Sequence, residues 1–292
     1  MEVRAGSADV TDAAQDRVFA EVERLETVFT VFDESSQLHQ LRRSGSTKSS
    51  ELVEVRKLAR SWHDKTGGAF HPALQPLVDL WARSAEAGSP PDTATLTEVV
   101  GSLNPDDHAH LDFNALAKGW IADRGLDAAF TGDDSVHDAW LSLGGDLVHR
   151  GDGSVVVGIE DPARPYDNVD PLATIDVANE ALATSGTVHR FWIIGGRRYS
   201  RVLDPRSGQP VDHIRQATVV APTAASADVL ATVALVLEPD QTLELVASEG
   251  AECLLITASG ETTQTSDRFR PCLLYTSPSP RDATLSRMPS SA

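Results

Sequence analysis

The chain has 292 residues, 41% of them hydrophobic and 23% charged, and its 43 acidic against 25 basic side chains leave a net charge of −18. That length supports one large domain or two small ones with a core of useful size. The acidic balance argues against nucleic acid and anionic membrane surfaces as partners, so an anionic ligand needs a local bound cation or aimed backbone N–H groups.

The chain opens on "MEVRAG", which reads as a strand already under way. Residues 12–31 place Val18, Phe19, Val22, Leu25, Val28 and Phe29 at helical spacing. "FDESSQLHQL" predicts a turn leading into a short helix, with Asp33 or Ser35 as cap candidates. A second amphipathic helix is expected over 50–65 (Leu52, Val55, Leu58, Ala59, Trp62), stopped in "TGGAFHP" by Gly67, Gly68 and Pro72. Pro76 and Trp81 mark a short helical region, and residues 90–107 a surface loop and helix. "HAHLDF" predicts a strand, and "ALAKGWIADRGLDAAF" a helix with Lys118 in its first turn. "AWLSLGGDLVHRG" and "SVVVGIEDP" are strand-like, each ended by Gly or Pro. "LATIDVANEALATSG" and "RRYSRVLDPRSGQPV" predict further strands around a turn-rich hairpin. Strand, helix and strand then follow in "ATVVAP", "AASADVLATVALVL" and "AECLLITASGE". Strands and helices mix without βαβ repetition, which predicts an α+β fold.

No apolar run reaches the length of a membrane span, and no signal-peptide pattern opens the chain. Cys253 and Cys272 make no CxxC pair and no disulfide framework. From Cys272 the text turns rich in Ser and Pro. "CLLYTSPSPRD" resembles the translation of a transposase-type sequencing adapter, and "SRMPSSA" that of the primer site after it. Residues 272–292 are therefore expected to be a non-native, disordered tail.

Several stretches could carry chemistry. Asp228 and Thr232 are four apart and share one helix face among Ala, Val and Leu. Two readings stand open: a helix-terminal carboxylate with a Thr bonding back to the backbone, or a hard-cation site of the kind Mg²⁺ accepts. The glycines of "LSLGGDL" and "TGGAFHP" suit either tight turns or close approach of a ligand. Lys118, set between Ala117 and Gly119, is one of only four lysines. No GxGxxG follows a strand, and no GxxxxGKS or GxSxG occurs. Ser185 in "LATSG" has no partner that can be placed from the sequence.

In order, "FTVFDESSQLHQL", "TGGAFHPALQPLVDLW", "LDFNALAKGWIADR", "LSLGGDLVHRG", "VGIEDP", "ATSG", "RVLDPRSGQPV" and "ATVVAPTAASADVLATVALVL" resemble the ApbE family of flavin transferases. The resemblance covers nearly all of residues 1–271. It implies a single α+β domain there, of mixed, mainly antiparallel sheets with packed helices. "MEVRAG" matches the strand after the family's Met-Gly-Thr motif, so the natural start is expected upstream, with any export signal or lipoprotein cysteine. The compartment stays open: the family is often extracytoplasmic or lipid-anchored, and a cytoplasmic chain is the alternative.

The resemblance further implies an enzyme that binds FAD and Mg²⁺ and moves FMN onto a Thr or Ser hydroxyl of a target flavoprotein, releasing AMP. Asp228, Thr232 and the carbonyl of Ala117 match the family's metal ligands, and Ala231 offers no extra carboxylate. Flavin and phosphate contacts fall on Gly68, Ala69, Phe70, His71, Asn114, Lys118, Trp120 and Val202. The expected catalytic set is His71 as candidate base, Lys118 facing phosphate, and Asp228 holding the metal. Departures are His71 for the usual Asp, Arg201 for His and Arg42 for Asn. They leave two alternatives: an FAD pyrophosphatase giving FMN and AMP, and a non-catalytic FAD-binding protein.

Overall fold

Alternating side chains let one antiparallel sheet bury both of its faces, and that sheet organises the molecule. The computed structural model describes residues 1–132, 135–165 and 168–272. Strand β1 (Glu2–Ala5) is followed by helices α1 (Ala8–Phe29), α2 (Gln37–Ser44), α3 (Ser50–Lys65), α4 (Gln75–Ala87), α5 (Thr93–Ser102) and α6 (Ala117–Ala129). The strand-rich half holds β2 (Val136–Leu143), β3 (Asp146–Gly151), β4 (Val155–Ile159), β5 (Ala173–Val177) and β6 (Ala181–Gly186). Next come β7 (Phe191–Ile194), β8 (Arg197–Ser200) and β9 (Ile214–Ala221). The last elements are α7 (Ala224–Val236), α8 (Pro239–Ser248), β10 (Glu252–Thr257), β11 (Thr262–Gln264) and β12 (Arg270–Pro271).

The main sheet runs β1-β2-β3-β6-β9-β10-β11, with every neighbouring pair antiparallel. Val148, Val219 and Leu255 face a core built with Val18 and Leu25 of α1, Leu126 of α6 and Leu230 of α7. Their neighbours Leu147, Val220 and Leu254 face the other way, onto Ile175 and Val177 of the three-stranded β12-β5-β4 sheet and onto Phe269 just before β12. The period of two along each strand thus feeds two cores from one sheet. A third cluster, with Leu77, Trp81, Leu96, Ile194 and Leu203, seats the β7–β8 hairpin against α4 and α5.

Helix α7 is apolar nearly all round and buried along almost its whole length, as a helix between a sheet and other helices must be. Its approach to α6 is set by Gly119, where an added Cβ would lie 2.2 Å from the Ala224 carbonyl oxygen. Asp123 of α6 closes the same contact, accepting hydrogen bonds from the free N–H groups of Ala224 (2.9 Å) and Ala225 (3.0 Å).

The α+β class and the antiparallel sheets agree with the sequence reading. Some local expectations are corrected. "HAHLDF" forms a short 3-10 turn at His108–His110 and then loop, because Asp107 caps the turn and Arg42 holds the Leu111 carbonyl at 2.7 Å. The cap of α2 is Ser36, while Asp33 closes a turn onto the Ser35 N–H. Phe19 is exposed, and α1 begins at Ala8 behind a Ser7 cap. Helix α8, with Pro239 in its first turn, was not anticipated. The expected tail lies, beyond Cys272, outside the described residues.

Replacing Gly119 by Ala drives a methyl group into backbone that cannot move aside. The variant should lose about 2 kcal/mol or more of stability. A lower urea midpoint at unchanged m-value is the check, and an unchanged midpoint would show that α6 and α7 can part freely.

Candidate active site

Three elements meet at Lys118. It is the second residue of α6; Asp146 opens β3 and Asp228 lies in the second turn of α7. The Lys118 ammonium pairs with Asp146 and lies 3.4 Å from Asp228. The Gly119 N–H, free at the helix start, points to Asp228 Oδ2 at 3.4 Å. Side-chain exposure is 36% for Lys118 but only 3% and 6% for the two acids, so the lysine connects buried carboxylates to the outside.

The charges do not balance. One ammonium faces two buried carboxylates. Burial, reinforced by the charge of Asp228, pushes Asp146 up to about 7, with Lys118 opposing. Burial likewise raises Asp228 against the pull of Lys118 and the Gly119 N–H. The pair therefore lacks positive charge. One helical turn beyond Asp228, Thr232 shares a 3.2 Å hydroxyl–hydroxyl hydrogen bond with Ser185 of β6. No group of three or more His, Cys, Asp or Glu arranged for a metal occurs among the described residues. Two carboxylates and neighbouring hydroxyls are nonetheless the all-oxygen chemistry that a hard divalent cation accepts.

The turn before β3 explains its glycines. Gly144 (φ +57°) and Gly145 (φ +97°) form the two-residue β2–β3 loop, where both positions are left-handed. A Cβ on Gly144 would also crowd the Lys118 side chain at 3.3 Å from Cδ.

Other expected site residues gather on loops beside α6. Gly67 and Gly68 turn the chain after α3 with φ of +56° and +83°. The Pro72 carbonyl accepts from the Asp112 N–H at 2.6 Å, joining "TGGAFHP" to "LDFN". Asp112 in turn accepts from the N–H (2.8 Å) and side-chain amide (3.1 Å) of Asn114. Ala69, Phe70 and Ala117 are buried in the main core, and Val202 packs at its margin. Trp120 is not brought to Lys118. Two residues on, about 200° round the helix, its ring packs edge-on to Phe29 and its Nε1 donates to Glu54 at 3.1 Å.

His71 is constrained. Its Nδ1 accepts from the Ala73 N–H at 3.1 Å, so the neutral ring carries its proton on Nε2. Burial, with the nearby His63 adding to it, holds the ring down at about 4. His71 is thus neutral near pH 7, with Nε2–H as its donor. Arg201 lies over the Trp192 ring, 5.3 Å from its centre.

Two residues of the site escaped the sequence reading. Asp146 had a signal, an acid opening a strand directly after two glycines. Asp123 had none, because its partners belong to a helix 101 positions away.

The ApbE family profile matches residues 1–255. An FAD:protein FMN transferase of Klebsiella pneumoniae (strain 342) is 28% identical over 242 residues, covering 76% of this chain and 74% of the relative. The ApbE protein of Thermotoga maritima superposes with a TM-score of 0.78 at 22% identity, covering 90% of this chain and 91% of that one. The apo flavinyl transferase ApbE of Pseudomonas stutzeri gives 0.73 at 21%, covering 93% and 92%.

A ring held below its ordinary value of 6.5 binds fewer protons than the unfolded chain between that value and about 4. The stability it contributes is complete above pH 6.5 and is lost as pH falls towards 4. The His71 ring proton should titrate by NMR with a midpoint near 4, and the acid-side fall in urea midpoint should be shallower in His71→Gln. A midpoint above 6 would show that the ring is solvated.

Proposed function

The chain belongs to the ApbE family, and from that premise we propose that it is a Mg²⁺-dependent FAD:protein FMN transferase acting on a Thr or Ser hydroxyl of a target flavoprotein. The observation that carries this reading is the buried pair Asp146 and Asp228 sharing one half-exposed ammonium. With Lys118 alone the cluster is net negative and repels a pyrophosphate. With a divalent cation as well, it becomes net positive and attracts one.

The reaction breaks one P–O bond and makes another. The acceptor hydroxyl attacks the phosphorus on the riboflavin side of FAD, AMP leaves with the bridging oxygen, and the hydroxyl proton passes to solvent. Asp228, Asp146 and Thr232 would hold Mg²⁺, with the Ala117 carbonyl as the further ligand that the family resemblance suggests. When bound, the cation neutralises phosphate oxygens and the charge that develops on the leaving AMP. Lys118 adds a mobile positive charge at the solvent edge, at the positive end of the α6 dipole. His71 Nε2–H offers a donor to a bound ligand. Arg42 fixes the Leu111 carbonyl (2.7 Å), and with it the entry of the "LDFN" loop.

Incubating the protein with FAD, Mg²⁺ and a candidate flavoprotein acceptor, then weighing the acceptor, tests the reading. An FMN-sized mass gain is expected. AMP release without that gain would mark hydrolysis instead, and bound FAD with neither would mark storage. Asp228→Ala should lower Mg²⁺-dependent AMP release by at least about 100-fold while the fold persists, because Lys118 still faces Asp146. Undiminished release would remove the metal assignment. Lys118→Met leaves two carboxylates unneutralised, so Mg²⁺ should raise its Tm more than that of the unsubstituted protein. Equal shifts would place the cation elsewhere.

A further inference from the structure

Residues 181–203 contain Arg190, Arg197, Arg198 and Arg201 and no Asp or Glu, in a chain of net charge −18. This segment runs from β6 through the β7–β8 hairpin, whose strands pair Phe191 with Ser200 and Ile193 with Arg198. The tight turn is Gly195-Gly196, both left-handed. Trp192, Ile194 and Tyr199 turn inward onto Trp81 and its cluster. The opposite face is left open: Phe191 is 36% exposed and Ile193 63%.

The four guanidinium groups form no ion pair among the described residues. Arg198 lies over the Phe191 ring, 3.7 Å from its centre, and donates to the Val188 carbonyl at 2.8 Å. Arg197 lies over Tyr199 and Arg201 over Trp192. Many arginines elsewhere find carboxylates, among them Arg24, Arg60, Arg206 and Arg268. Here Arg197, Arg198 and Arg201 rest on aromatic faces, which orient them while leaving their charge unspent. The patch also stands near the site. Ser185, bonded to Thr232, is five residues before Arg190, a span of at most about 18 Å.

We propose that the open face of the β7–β8 hairpin docks an acidic, partly apolar polypeptide segment of the FMN-acceptor protein. On the open face a carboxylate would pair with Arg198, the strand partner of Ile193, while an apolar side chain would cover Phe191 and Ile193. Arg190 and Arg197, in phase with the inward-facing Trp192 and Ile194 but exposed, would add positive charge around that face. This rests on the transferase reading given above. A four-residue strand is about 13 Å long, the reach of a short peptide. An extended polyanion such as a membrane or nucleic acid would also meet the acidic remainder of the surface, whereas a short segment within about one Debye length meets only the patch.

The test uses the full chain and a fluorescent twelve-residue peptide with four Asp, two Leu and a central Thr, beside a control with each Asp replaced by Asn. Anisotropy should report binding of the acidic peptide alone, weakened by 0.3 M salt and by about tenfold or more in Arg197→Glu/Arg198→Glu. FAD binding, read by flavin fluorescence, should be the same in both proteins, which shows that the variant is folded. Equal affinity of variant and unsubstituted protein for the acidic peptide would overturn the proposal. So would equal binding of the control peptide, or binding to phosphatidylserine vesicles in place of the peptide. Charge-dependent peptide binding in a protein that never releases AMP from FAD would sustain the surface and overturn the transferase reading instead.

Discussion

The close contact of α6 and α7 is the constraint on which the site depends. With no Cβ at Gly119, the first turn of α6 lies against the Ala224 carbonyl. Asp123 then supplies the N-terminal acceptors of α7. These features place Lys118 and Asp228 within ion-pair reach across two helices. A larger residue at 119 would part the helices and the charges together. The small residues around Lys118 therefore belong first to helix packing, and through packing to the site.

Burial gives this cluster its character. Exposed charges are cheap to leave unbalanced, because water and salt screen them. Burial first, and then the neighbouring charge of Asp228, push Asp146 up to about 7, against the pull of the single Lys118 ammonium. Such a site favours additional positive charge, which is how an acidic protein can hold a pyrophosphate. The same chain places unpaired arginines on the β7–β8 hairpin, a short segment away. The arginines reverse the sign of the surrounding charge on the surface, whereas the buried carboxylate pair shares that sign and leaves room for a cation.

Two motifs change meaning once their neighbours are known. The Gly144-Gly145 pair forms the hairpin turn, and Gly144 also leaves room for the Lys118 side chain. His71 occupies a position that suggested a base, yet the Ala73 N–H takes its Nδ1 and leaves a donor. In each case local chemistry permits several roles, and a contact from another part of the chain selects one.

Much of the fold was legible from the sequence because its signals are local. The 3.6-residue spacing of Val18, Val22 and Leu25 marked α1, and glycine and proline bounded the strands. The ordered short motifs likewise pointed to the family, and to Lys118, Asp228 and Thr232. Tertiary structure decided what depends on distant partners. It chose loop over strand for "HAHLDF", because Arg42 and Pro72 bind that stretch from outside it. It joined Asp146 to Lys118, set Asp123 against the first N–H groups of α7, and turned Trp120 towards Phe29. Spacing along a chain fixes which residues share a face. Only packing fixes which face meets which, and so which charges share one buried space.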